Sequence, residues 1–168
     1  MNSVFSSAAA PQAMVYVVDD DASVRAAIED LLASVGLAVQ GFGSTSAFLE
    51  HWRSTVCALP SCLVLDIRMP GQSGLEFQRQ MGELGVALPV IFVTGHGDIP
   101  MSVQAMKGGA IEFLTKPFRE QELLDAIQHG IGLDRARHAQ AQTDQSLQAQ
   151  WDSLSAMAGL GAIYLFLR

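Results

Sequence analysis

The sequence predicts an α/β fold in which helices cover a parallel sheet of five strands. Short apolar runs rich in β-branched residues recur along the chain, and segments with apolar residues at helical spacing separate them. None of the runs alternates cleanly between apolar and polar residues, which is typical of strands covered on both faces. Because strand and helix alternate five times, we expect a doubly wound sheet with right-handed crossovers.

Five segments are the predicted strands. Four are strongly apolar, at residues 14–18 (MVYVV), 62–65 (CLVL), 89–94 (PVIFVT) and 111–115 (IEFLT), and a weaker one, LAVQGF, occupies residues 37–42. Five strands in about 120 residues fit the flavodoxin-like order 2-1-3-4-5 better than the longer dinucleotide-binding order.

The segments between the strands have the spacing of amphipathic helices. The first follows Asp21, which we interpret as its N-cap, and ends at Gly36. Three more are predicted at residues 44–52, 75–84 and 98–106. A fifth begins near Arg119 and is expected to continue into a C-terminal helical extension.

Composition limits the classes of function. The formal net charge is −7 and the sequence pI is about 4.9, which argues against a nucleic-acid surface, because phosphate recognition requires clustered Lys and Arg. No apolar run reaches the roughly 20 residues that span a bilayer, so we expect no membrane association. Cys57 and Cys62 match neither a redox pair nor a zinc site, so we expect reduced thiols in a cytoplasmic protein.

Polar side chains stand at the carboxyl ends of four of the predicted strands. Asp19 and Asp20 follow the first strand, Asp66 follows the third, Thr94 ends the fourth and Lys116 follows the fifth. Because the carboxyl ends of parallel strands meet at one edge of the sheet, where ligands bind, we expect these five side chains to converge.

This combination suits phosphoryl transfer onto a carboxylate. An Asp side chain can act as a nucleophile that forms an acyl phosphate, and the transfer depends on positioning and charge neutralisation. Asp20 and Asp66, with Asp19 behind them, could hold Mg²⁺, an ion that is bound through one or two carboxylates and keeps several waters. Lys116 would neutralise one phosphoryl oxygen, and the Thr94 hydroxyl would donate a hydrogen bond to another.

Residues 13–130 resemble the receiver domain of two-component response regulators through the motifs VVDDD, LDIRMPG, VTGHGD and GAIEFLTKPF. The resemblance implies that Asp66 accepts phosphate from a sensor histidine kinase. It also implies that Asp19 and Asp20 form the acidic Mg²⁺ pocket and that the backbone carbonyl of Arg68 is a further metal ligand.

The same resemblance implies a conformational switch. Thr94 corresponds to the switch hydroxyl, Phe113 to the aromatic switch residue and Lys116 to the lysine of the phosphorylation site. A changed surface on the fourth helix, fifth strand and fifth helix would then promote a homodimer of the phosphorylated chain. The resemblance further implies a cis peptide bond between Lys116 and Pro117.

Two alternative functions use similar residues. A phosphatase of the haloacid-dehalogenase type requires a second Asp two positions after its nucleophile, where this chain has Arg68. A flavin- or nucleotide-binding module would cradle phosphate with backbone amides after the first strand, where this chain has three acids. We therefore expect a regulator and not an enzyme.

The two ends of the chain lie outside the predicted receiver domain. Residues 1–12 are interpreted as a disordered leader, 131–153 as a helical linker and 154–168 as a short apolar tail in place of an output domain. The motifs resemble the branch that usually carries a LuxR-type helix-turn-helix domain, so we expect transcription control through an output domain absent here, with no DNA binding by this chain alone. The alternative is a stand-alone receiver that acts through protein–protein contacts.

Overall fold

The computed structural model describes residues 10–166, and their side chains up to residue 159. Most of the predicted leader, residues 1–12, and much of the predicted tail, residues 154–168, lie outside the described residues or side chains. The expectations for these two segments therefore stay predictions.

The sheet has the predicted architecture. Five parallel strands lie in the order β2-β1-β3-β4-β5, which confirms the flavodoxin-like topology. Their bounds are β1 Met14–Val18, β2 Ala38–Phe42, β3 Ser61–Leu65, β4 Val90–Thr94 and β5 Glu112–Thr115. The central strands β3 and β4 are buried along their whole length, which explains why their sequences are apolar without alternation.

Five helices connect or follow the strands. Their bounds are α1 Ala22–Ser34, α2 Thr45–Ser54, α3 Gly74–Gln80, α4 Ile99–Lys107 and α5 Glu120–Phe166. Helix α3 is shorter than predicted. The apolar spacing continues to Leu84, but the chain after α3 forms turns that close at Gly85, which has a φ of 73°. Apolar spacing persists through such turns, so it overestimates the length of the helix.

The first helix begins as predicted. The Asp21 carboxylate accepts hydrogen bonds from the backbone N–H groups of Ser23 (2.9 Å) and Val24 (3.3 Å), which makes Asp21 the N-cap of α1. Asp21 is thereby separated in role from Asp19 and Asp20, although the three acids are adjacent in the sequence.

Two apolar clusters, one on each face of the sheet, form the core. The larger one is built around aromatic side chains, which include Tyr16, Phe48, Phe77 and Phe92. The other joins β1, β3 and β4 to α1 and α5 through Ile28, Leu32, Leu123 and Ile127. Burial of each such side chain contributes about 1.5–3 kcal/mol. Packing on both faces thus holds the sheet, and the residues that follow its strands, in fixed positions.

The chain divides into two compact units, one ending at Asp134 and the other beginning at Arg135. The described part of the second unit is helical, and nearly all of its described side chains are exposed. Hydrogen bonds at helical spacing, such as the one from Gln140 to Asp144 (2.9 Å), link neighbouring turns. Among the helices described, none is long and apolar enough to cross a membrane.

The start of α3 packs directly on the chain that follows β3. The Gly74 N–H donates to the carbonyl of Ile67 at 2.9 Å. A Cβ atom at Gly74 would overlap the carbonyl oxygen of Asp66 and lie 3.0 Å from its carbonyl carbon. Because both obstacles are backbone atoms, only glycine allows this approach, which fixes the backbone of Asp66.

We expect Gly74→Ala to lower the free energy of unfolding by about 1–3 kcal/mol, because a buried methyl group is forced against backbone. Urea denaturation followed by circular dichroism measures the change. Gly82→Ala is the matched control, since a Cβ there meets nothing within 4 Å. Equal stabilities of the two variants would show that the contact at Gly74 imposes no constraint.

Candidate phosphorylation site

Backbone hydrogen bonds extend the sheet beyond the ends of its strands and carry the polar residues to one edge. The N–H of Asp19 donates to the carbonyl of Phe42 (3.1 Å), and that of Asp66 to the carbonyl of Val18 (2.9 Å). At the ends of β4 and β5, the N–H of Lys116 donates to the carbonyl of Thr94 (2.8 Å). The backbone at each of these positions is therefore as fixed as the sheet itself.

Three carboxylates meet at this edge. One oxygen from each of Asp19, Asp20 and Asp66 lies within 4.8 Å of the others. Asp19 and Asp66 are buried, at 2% and 7% exposure, whereas Asp20 is exposed. Carboxylate oxygens are hard donors, and three of them with one open side fit a small divalent cation such as Mg²⁺ that keeps several waters.

A lysine from the far end of the sheet neutralises one of these charges. The Nζ atom of Lys116 donates to Asp19 Oδ2 at 2.7 Å, although the two residues are 97 positions apart. The other carboxylate oxygen of Asp19 accepts from the N–H of Asp21 at 2.9 Å. The charge of Asp19 is therefore paired within the protein, and the charges of Asp20 and Asp66 remain available to a further cation.

The environment makes Asp66 a weaker acid than an ordinary aspartate. Burial has the largest effect and raises the pKa of its carboxyl above 3.8. The Lys116 ammonium opposes that rise, the Asp19 charge adds to it, and hydrogen bonds from the Arg68 N–H and the Thr94 hydroxyl oppose it again. The net direction of the pKa shift is upward, because the penalty of burial exceeds the stabilisation that Lys116 and the hydrogen bonds give the charged carboxylate.

Thr94 ends β4, and Phe113 of β5 lies against the loop that follows it. Thr94 is fully buried, and its Oγ1 accepts from the N–H of His96 at 3.4 Å. Phe113 is half-buried, and its ring lies over Gly97, where a Cβ would come within 2.8 Å of its Cε1. The aromatic ring thus touches the loop that begins at Thr94.

Two further expectations concern Arg68, whose carbonyl stays a predicted metal ligand, and the peptide bond before Pro117. The N–H of Arg68 donates to Asp66 Oδ1 at 3.4 Å, while the Arg68 side chain is exposed. The peptide bond between Lys116 and Pro117 is cis, as predicted. The five side chains predicted to converge therefore lie at the same edge of the sheet, whereas Phe113 lies within β5 and Arg68 in the loop after β3.

One neighbour of the site was not predicted. The Arg25 guanidinium of α1 donates from Nη1 to the backbone carbonyl of Asp19 at 2.6 Å. A signal for it exists in β2, where Gly41 interrupts a strand, since a glycine inside a strand often marks a close approach by another group. That signal does not identify the approaching residue.

Comparisons with known proteins identify the family of this chain. A family model described as a response regulator receiver domain matches residues 15–128. Nodulation protein W of Bradyrhizobium diazoefficiens is 49% identical over 147 residues, which are 88% of this chain and 63% of that protein. Response regulator protein TodT of Pseudomonas putida is 46% identical over 142 residues, 84% of this chain and 61% of TodT. The chain thus spans less than two thirds of the length of these relatives.

Solved structures of response regulators superpose on this chain. The response regulator StyR superposes with a TM-score of 0.76 at 48% identity, over 84% of this chain and 70% of that one. Full-length FixJ from B. japonicum superposes with a TM-score of 0.69 at 35% identity, over 83% of this chain and 68% of that one.

The raised pKa of Asp66 predicts a pH-dependent difference between the wild type and Asp66→Asn. The folded domain binds this proton more tightly than the unfolded chain does. The stability contributed by the group is therefore complete below pH 3.8 and is lost as the pH rises through the raised pKa. In magnesium-free buffer we expect Asp66→Asn to be the more stable protein at pH 7.

Urea denaturation across a pH series measures this difference, which should shrink as the pH falls through the raised pKa toward 3.8. Asp30→Asn, which alters an exposed carboxylate on α1, is the control and should track the wild type. A stability difference that does not change with pH would rule out a burial penalty at Asp66.

Proposed function

The chain belongs to the response regulator receiver family, and we propose that it takes a phosphoryl group from a sensor histidine kinase onto Asp66. Members of this family are signalling regulators that interact with sensor kinases. The observation that carries the proposal is the meeting of Asp19, Asp20 and Asp66 at one edge, with Lys116 bonded to Asp19 and Thr94 beside them.

In the proposed reaction an Asp66 carboxylate oxygen attacks the phosphorus of a phosphohistidine. The new P–O bond forms as the P–N bond breaks, and the electron pair of that bond returns to the imidazole of the kinase. Mg²⁺ held by Asp19, Asp20, Asp66 and the Arg68 carbonyl would neutralise charge on the phosphoryl oxygens. Lys116 can turn from Asp19 to the phosphoryl group, because its side chain is partly exposed.

Thr94 supports the next step. Its hydroxyl lies close enough to the Asp66 carboxyl to lower the pKa of that group, and a phosphoryl group there would offer it stronger acceptor oxygens. Movement of Thr94 toward the phosphate would alter the loop on which the ring of Phe113 lies. We propose that this contact carries the signal to α4 and β5.

Helix α4 provides a surface for the output of that signal. Ile99, Val103 and Met106 lie at helical spacing on one side of α4, and they are 80%, 46% and 46% exposed. An apolar stripe of this kind favours contact with a second copy of the chain. We propose that phosphorylation changes this surface and promotes a homodimer.

A groove beside the site suits the kinase partner. Val24 and Leu31 of α1 and Phe118 line an apolar groove of about 330 Å³, and Lys116 borders it. A kinase that brings a phosphohistidine to Asp66 must approach this rim. We therefore propose that an apolar helix face of the kinase docks here.

The biological process proposed is two-component signalling in the cytoplasm that controls transcription. Similar proteins include the transcriptional regulatory protein FixJ of Azorhizobium caulinodans, which is 44% identical over 118 residues. We propose that control passes through an output domain, as expected from the sequence, and that this chain alone does not bind DNA. The alternative remains a receiver that acts through protein–protein contacts.

Phosphorylation of the purified chain by acetyl phosphate tests the central proposal. We expect one acid-labile phosphate per chain in the presence of Mg²⁺ and none when EDTA removes the ion. Asp66→Asn should take up no phosphate, since it lacks the nucleophile. Mass spectrometry at low temperature measures the added mass. Asp30→Asn should be phosphorylated normally, and acid-labile phosphate on Asp66→Asn would show that another residue is the acceptor.

The switch is tested by the oligomeric state. We expect the phosphorylated wild type to form a dimer in sedimentation velocity experiments. Thr94→Ala should accept phosphate but stay monomeric, because it lacks the hydroxyl that moves toward the phosphoryl group in the proposed switch. Thr55→Ala changes an exposed threonine at the end of α2 and should dimerise like the wild type. Dimerisation of phosphorylated Thr94→Ala would remove Thr94 from the switch.

A further inference from the structure

Arg25 lies next to the acidic site, although the sequence predicted no role for it there. Its side chain is half-buried, and its Nη1 donates to the backbone carbonyl oxygen of Asp19 at 2.6 Å. That carbonyl belongs to the peptide that joins Asp19 to Asp20. The guanidinium therefore holds the backbone between two of the three clustered carboxylates, through a charge-assisted hydrogen bond of the stronger kind.

A glycine in β2 makes room for this arginine. A Cβ at Gly41 would lie 2.9 Å from both Cγ and Cδ of Arg25 and would overlap the side chain of Glu29. At Gly43, by contrast, a Cβ would make only an ordinary contact, at 3.7 Å from Arg25 Nη1. The arginine thus crosses the carboxyl end of β2, the strand that pairs with β1, on its way to Asp19. The space that the arginine occupies explains the glycine at position 41, since any larger residue there would displace the arginine.

Asp20 depends on its backbone for its orientation more than the other two carboxylates do. Asp19 is held by Lys116 and by the N–H of Asp21, and Asp66 is buried. The Asp20 side chain is exposed, and its carboxylate accepts no hydrogen bond within the part of the chain that the structure describes. The peptide that Arg25 holds is therefore what aims Asp20 at the site.

We propose that Arg25 is a positioning residue for metal binding, which directs the Asp20 carboxylate toward Asp19 and Asp66 by holding the carbonyl of Asp19. The inference rests on the magnesium-dependent function proposed above and extends it to a residue that does not touch the metal. Arg25 also has an effect of the opposite sign, because its positive charge repels a cation bound nearby. Loss of positioning weakens Mg²⁺ binding, whereas loss of repulsion strengthens it, so the sign of the change separates the two effects.

Isothermal titration calorimetry with MgCl₂ measures the affinity of the unphosphorylated chain directly. We expect Arg25→Ala to bind Mg²⁺ about tenfold more weakly, the size typical for loss of a group that orients a metal ligand. Arg25→Lys keeps a charged donor and should recover part of the loss. Gly41→Ala displaces the arginine and should weaken binding similarly, while adding little to Arg25→Ala.

Phosphorylation by acetyl phosphate provides a second readout. For Arg25→Ala we expect a higher half-saturating Mg²⁺ concentration and an unchanged rate at saturating Mg²⁺, because the nucleophile and Lys116 are intact. A purely structural role would instead lower the melting temperature without changing the Mg²⁺ dependence. Arg53→Ala removes an exposed arginine from α2, and as the charge-matched control it should leave both readouts unchanged.

Unchanged or tighter Mg²⁺ binding by Arg25→Ala overturns the inference, as does a fall in melting temperature as the sole effect. If Arg25→Ala does not fold, Gly41→Ala decides the question by the same titration, and unchanged affinity there overturns the inference. Failure of the proposed function gives a different result, since the wild type itself would then bind no Mg²⁺ or Asp66→Asn would still be phosphorylated.

Discussion

The constraint on which this structure depends is the crowding of negative charge at one edge of the sheet. Like charges at short distance are unfavourable, the more so where burial removes them from water. Lys116 and the backbone N–H of Asp21 stabilise Asp19, and the N–H of Arg68 reaches Asp66. Burial nevertheless keeps the pKa of Asp66 above its ordinary value, in spite of the Lys116 charge and the hydrogen bonds that oppose it. A divalent cation would offset the negative charge of the clustered carboxylates. Lys116 would afterwards leave Asp19 and neutralise charge on the phosphoryl group.

The fold and the placement of the candidate site could be predicted because both follow from strand polarity. Parallel strands all end at the same edge, so residues directly after a strand must meet whatever their separation in sequence. Lys116 and Asp19 are an instance, at 97 positions apart. The roles of the two adjacent acids Asp20 and Asp21 could also be separated, because an N-cap has its own position at the start of a helix.

Other features could not be predicted because they depend on paths that side chains take across the fold. Arg25 reaches Asp19 over the end of β2, and only the glycine at position 41 hints that something passes there. The end of α3 was missed because Leu84 keeps the apolar spacing after the backbone has left the helix. Apolar periodicity reports which residues are buried, and burial continues through the turn before Gly85.

The two ends of α4 are held differently, which matters for the proposed switch. At its C-terminal end the buried Gln78 of α3 donates from Nε2 to the carbonyl of Ala105 at 3.0 Å, and a Cβ at Gly108 would lie 2.6 Å from Gln78 Oε1. At its N-terminal end Ile99 is 80% exposed, and the preceding loop rests on the ring of Phe113. A displacement that starts at Thr94 therefore meets the weakly held end of α4 first, while the buried amide fixes the other end. Under the proposed mechanism α4 would pivot about Gln78, so that a small movement beside Asp66 changes the apolar stripe without disturbing the core.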